Sequence, residues 1–301
     1  MQIDTTRNPE EATVAVDEGP TLRRRRLAAE LKRCREEAGF TQESVSRHFE
    51  WHSAKVTRIE NARVPVTPRD VSDLLTLYRV ADGTYREALL TLARLARQRG
   101  WWTDYKDVMR PGNFVGMEAD ASTAKVWEPI VLPGLLQTEA YMRALMGTGR
   151  RNDPQQSVDR RVALRLLRQE RLTKQPQLTL LAVIDESVIR RFVGGEEVMR
   201  EQWQRLITAA NLPNVTLRIL PFGAGEHALM GGSIALLEFD DVAHLDVIYL
   251  EGLAGDYYEE QPSEVKRYRD EFERLSTNAL SQAASIGAIQ RLLDESTGRH
   301  P

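Results

Sequence analysis

At 301 residues, 42% apolar and 28% charged, the chain exceeds what one core usually organises and has the composition of a globular protein, which argues against disordered, collagen-like and membrane-embedded classes. The single cysteine, Cys34, excludes an internal disulfide framework and fits a reducing cytoplasm. No apolar run approaches the roughly 18 residues of a membrane span, and no basic-then-apolar export signal opens the chain. The net charge of −3 hides a segregation: residues 21–99 hold 17 Lys and Arg against 10 Asp and Glu, whereas 1–20 and 100–301 are both acidic. A basic segment of this kind is what a polyanion-binding module needs, because counterion release scales with the phosphates neutralised.

Residues 1–20 contain five acids and one base with few large apolar groups, the pattern of a disordered acidic leader. A first helix is expected from Leu22 to Ala38, with Leu27, Leu31, Cys34 and Ala38 on one face. It opens on Arg23-Arg24-Arg25-Arg26, a cluster denser than solvation of an amphipathic helix requires. Arg24 and Arg25 are therefore candidate phosphate contacts, the alternative being a solvated helix start. Gly39 ends that helix and Thr41 caps the next. Val45 with Phe49, and Val56 with Ile59, then give two short helices, each burying one stripe. The pattern is a helix-turn-helix whose second helix presents Ser53, Lys55, Thr57 and Arg58, side chains suited to base edges and phosphates. Thr67-Pro68-Arg69-Asp70 announces a fourth helix, and Thr84 with Glu87 forms a capping box for a fifth.

The run QESVSRHF...KVTRIEN resembles the XRE, or phage-repressor-like, five-helix DNA-binding domain over about Leu22 to Arg99. The resemblance implies that Gln42 braces a phosphate and that His52, Ser53, Ala54, Lys55, Thr57 and Arg58 lie against bases in the major groove. The chain departs from the family pattern at Glu50, where the turn usually holds Gly, at Ala54, and at Ala62, which replaces the Gly of an ENG ending. Glu50 is accordingly expected to be strained or differently posed.

Beyond Gly100 the character changes, with Trp101-Trp102 and Pro111-Gly112-Asn113 marking a junction. Short apolar runs at Leu178–Ile184, Val215–Leu220, Ser233–Phe239 and Asp246–Leu250 read as strands, and helices are expected around them, giving an α+β domain over 101–301. Trp127 to Tyr141 contains Pro133-Gly134, a turn that either packs in the core or exposes Leu135 and Leu136 to a partner. Arg161, Arg165 and Arg168 share one helical face, internally paired or open to an acidic partner.

This half is similar to the uncharacterised C-terminal domain that accompanies XRE heads in actinobacterial regulators of the WhiJ-like type. RGWWTDY, WEPIVLPGLLQTEAY, LPNVTLRILPFGAGEHALMGGSIALLEF and YLEGLAGDYYEE carry the likeness. It implies developmental or antibiotic-related transcription control, with a small companion protein encoded nearby in an antitoxin-like pair.

No HExxH, paired CxxC or Gly-x-Ser-x-Gly occurs, so neither catalysis nor a metal site nor a cofactor is expected. His244 with Asp246 is a weak ligand pair beside the default of a solvated loop, and the glycine-bracketed Glu226-His227 is a candidate ligand-binding border. The expectation is a cytoplasmic, sequence-specific transcriptional regulator: an all-α head on duplex DNA and an α+β domain that dimerises and takes partner or ligand input. The alternative is an antitoxin-like interaction module whose head has lost DNA recognition.

Overall fold

The computed structural model describes residues 22–97, 100–109, 114–149, 154–240, 246–252 and 255–297. The acidic leader, the Pro111-Gly112-Asn113 junction and His244 lie outside the described residues.

The N-terminal region is all-helical: α1 (Leu22–Glu37), α2 (Gln42–His48), α3 (Ala54–Glu60), α4 (Pro68–Leu77) and α5 (Gly83–Leu95). Its core joins Leu27, Leu31 and Cys34 of α1 to Val45, Val56, Ile59, Val71, Leu74, Leu75 and Leu89, the stripes that the periodicity marked. Thr41 and Thr67 cap α2 and α4 by accepting from the amides of Ser44 and Asp70. The cap of α5 is a correction. Asp82 accepts from the amides of Thr84 at 2.9 Å and Tyr85 at 3.1 Å, so the helix starts at Gly83 and Thr84 falls inside its first turn.

The remainder is built on one six-stranded mixed sheet, in the order β3-β2-β1-β4-β5-β6. The strands are β1 (Thr123–Glu128), β2 (Thr179–Asp185), β3 (Val215–Leu220), β4 (Ile234–Glu238), β5 (Val247–Leu250) and β6 (Tyr257–Glu259). β1, β2 and β3 are parallel, and β4, β5 and β6 continue antiparallel from β1. Alternate residues enter two cores, as strands covered on both faces require. Ala124, Val126, Ala182 and Leu217 meet Met199, Trp203 and Leu206 of α10 (Glu196–Ala210) and Ile289 of α12 (Gln282–Thr297). Trp127, Val183 and Ile234 meet Phe272 and Leu275 of α11 (Pro262–Asn278). No helix among the described residues is long and apolar enough to cross a membrane.

The Pro133-Gly134 segment, which leads into α7 (Glu139–Gly149), packs inward: Leu135 and Leu136 are buried. Gln137 donates to Leu132 O at 2.6 Å, and Gln202 of α10 both accepts from the Thr138 amide at 2.7 Å and donates to Leu136 O at 2.8 Å. These bonds satisfy a loop that would otherwise bury orphan amides. The arginine face of α8 (Gln155–Gln169) is paired internally, with Arg168 gripping Glu118 through two bonds of 2.7 Å. Glu118 belongs to α6 (Phe114–Asp120), which the sequence reading did not foresee.

The sheet has two unlike ends. At one lie Asp120, Phe239 and Glu260, just outside the start of β1 and the close of β4 and β6. At the other lie Glu128, α9 (Glu186–Arg190) after β2, and the loop 221–233 that arches from β3 across to β4.

Candidate nucleic-acid interface

The helix-turn-helix is held by one buried polar network. Arg35 of α1 donates to both carboxylate oxygens of Glu60 in α3, at 2.6 and 2.9 Å, and to Phe40 O at 2.7 Å. Hydrogen bonding to Glu60 raises the Arg35 guanidinium above its ordinary value, so it keeps its charge although both side chains are buried. Gln42 of α2 donates to the same Glu60 at 2.7 Å and accepts from the Thr57 hydroxyl at 2.7 Å. A single carboxylate thereby fixes α3 against α1 and α2.

On α3 and its lead-in, His52, Ser53 and Arg58 are exposed. The Ser53 hydroxyl makes no cap; Nδ1 of His52 accepts the Ala54 amide at 3.3 Å instead. Lys55 is half-buried, its ammonium 3.5 Å from the Trp51 ring centroid and 3.5 Å from Asp70 Oδ2. Of the residues marked for DNA, His52, Ser53 and Arg58 are presented outward, Lys55 is steered by Trp51 and Asp70, and Thr57 is bonded to Gln42, which is itself bonded to Glu60. Arg63, also exposed, follows α3 directly, with its amide bonded to Arg58 O at 2.8 Å, and adds a cation that the motif did not mark.

The departures at Glu50 and Ala62 have a structural cost. Both residues adopt left-handed backbone, with φ of 54° and 56°. A non-glycine residue there costs about 1–2 kcal/mol.

The arginine cluster is placed differently from the expectation. Arg23 pairs with Asp120 at 2.6 Å, Arg25 forms an ion pair with Glu260, and the buried Arg26 lies over the Phe239 ring. The first turn of α1 is thus applied to the head-facing end of the sheet, with Arg24 half-buried in the same turn. Arg25, read as a phosphate contact, is committed to a carboxylate of the second domain. Burial pushes the Asp120 carboxyl up and the Arg25 guanidinium down, so this contact carries a desolvation cost as well as an attraction.

The Glu226-His227 border is divided. Glu226 is exposed, whereas His227 is half-buried, edge-on to Trp127 at 5.0 Å, and accepts the Leu229 amide at 3.2 Å through Nδ1. Burial lowers its basicity. These contacts give the imidazole a packing role in the arch.

Two family models match. A helix-turn-helix domain covers residues 26–89, which supports DNA binding, and a domain of unknown function, DUF5753, covers residues 112–291. No curated protein and no solved structure matches the chain. Because the second model spans more than half of its length, the chain belongs to the DUF5753 family, and it carries a helix-turn-helix head.

Proposed function

We propose that this protein is a sequence-specific transcriptional regulator of the XRE type, in which α3 enters the major groove of duplex DNA. The observation that carries the reading is the exposed row His52, Ser53 and Arg58, on and just ahead of a helix locked by the Arg35–Glu60–Gln42–Thr57 network. A rigid ridge of short polar and cationic side chains is what base-edge readout requires. Seven residues of α3 offer few base contacts, so two heads on a pseudo-palindrome supply the missing selectivity, and the DUF5753 domain is the element that pairs them.

In this reading the protein works in the cytoplasm, performs no catalysis, and receives its input through the second domain. Its place among actinobacterial WhiJ-like regulators with a small companion protein rests on the sequence motifs quoted above. Selecting duplexes from a random pool with the full chain tests the reading: enrichment of a two-part site is expected, and an unenriched pool would overturn it. The commitment of Gln42 to Glu60, and of Thr57 to Gln42, favours a second reading, an antitoxin-like interaction module with weakened DNA recognition, and the same selection separates the two.

A further inference from the structure

The end of the sheet opposite the docked head is apolar and open. Ile130 after β1, Phe222 after β3 and Met230 before β4 are 63%, 62% and 66% exposed, far more than side chains of this kind in a core. The strand register brings them to one rim. Glu128 pairs with Ile184 across β1 and β2, Asp185 with Leu220 across β2 and β3, and Trp127 with Ile234 across β1 and β4.

The rim is built, not loose. The Phe222 amide donates to Glu186 at 3.0 Å, Trp127 Nε1 donates to Leu229 O at 2.8 Å, and the Ser233 hydroxyl donates to Glu128 at 2.7 Å. These bonds fix the arch while its large apolar side chains stay in solvent. Exposed apolar side chains gathered on one rim that is held in one shape mark an interaction surface.

We infer that this rim is the face through which two copies of the chain dimerise, and the inference rests on the regulator reading above. The charge pattern selects a second copy as the occupant. Beside the apolar patch lie Arg191, which follows α9, and Glu226 in the arch, both exposed and neither in an ion pair among the described residues. A two-fold axis through the rim sets each against the other in the facing copy, the self-complementarity that an isologous interface demands. The head docks at the far end of the sheet, so the rim is clear of it.

The test is sedimentation of the full chain without DNA, at micromolar concentration. The wild type is expected to run as a dimer, and Phe222→Asp and Met230→Asp to weaken it on the order of 100-fold. Leu166→Asp, at an exposed apolar position on α8 away from the rim, is expected to leave the dimer intact and serves as the control. Arg191→Glu and Glu226→Arg are each expected to weaken the dimer, and the double reversal to restore it. A monomeric wild type, a dimer indifferent to both rim substitutions, dissociation only by Leu166→Asp, or a double reversal as weak as the singles would overturn the inference. Duplex binding measured on the same samples keeps the questions apart: a rim-dependent dimer without duplex affinity would fail the regulator reading and leave the interface standing.

Discussion

The guanidinium of Arg26 lies 4.6 Å from the centroid of the Phe239 ring, and the arginine is only 5% exposed. With Arg23 on Asp120 and Arg25 on Glu260, the first turn of α1 fastens the helical head to the sheet domain through side chains that the sequence presents as a bare cationic run.

A desolvated cation over a ring is worth about 2 kcal/mol. Arg26→Ala should therefore loosen the head, splitting one calorimetric unfolding transition into two and enlarging the radius of gyration in solution scattering. A single, unmoved transition would show that the contact does not couple the domains.

Arg25 bears on the DNA question from the other side. While it is paired with Glu260, Arg25→Gln should leave the slope of log affinity against log salt unchanged. A slope lower by about one would place the residue on a phosphate.

Glu60 receives bonds from Arg35 and Gln42, and removing it leaves a buried guanidinium with only the exposed Glu36, at 3.3 Å, as a counter-ion. Glu60→Ala is expected to cost about 3–5 kcal/mol in urea denaturation, the range for a broken buried pair, and to lower duplex affinity with it. A loss below about 1 kcal/mol would mean that the network does not hold α3.

The turns that contain the network were legible in part. Thr41, Gly39 and Thr67 act as their types predict, because caps and left-handed positions are decided within a few residues. Four of the six strands were readable as apolar runs. β1 was missed: Lys125 interrupts its pattern, held at 3.4 Å to Glu238 and 2.9 Å to Glu273, partners far along the chain. At three residues, β6 is too short to announce itself. The role of the arginine cluster was hidden for the same reason. Charge density indicates that an anion will be met, but Asp120 and Glu260 compete with phosphate for that part and only the tertiary fold brings them near.

Glu50 and Ala62 hold left-handed backbone without glycine. Glu50→Gly should stabilise the protein by about 0.5–1 kcal/mol, the relief of strain less the extra freedom that glycine gives the unfolded chain. Thermal denaturation reads it as a higher Tm. An unchanged or lower Tm would mean that the turn bears no strain.

Glu128 supplies a pH signature. Burial pushes its carboxyl up to about 7 from an ordinary value of 4.5, against the opposing hydrogen bond from Ser233, with the Glu251 charge adding to the rise. Between those values the folded chain keeps a proton that the unfolded chain has lost, so stability falls as pH rises, by at most about 1.4 kcal/mol per unit. The penalty is absent below pH 4.5 and complete above pH 7. Glu128→Gln should flatten that part of the stability profile, and an unaltered slope would assign it to other groups.

The most direct measurement is the affinity of Arg58→Ala for a selected duplex and for a random one, by fluorescence anisotropy at low and moderate salt. A base-reading Arg58 predicts a loss of about 1–3 kcal/mol on the selected duplex and a much smaller loss on the random one. Equal losses on both, or no duplex affinity of the wild type even at low salt, would contradict the claim that α3 reads DNA.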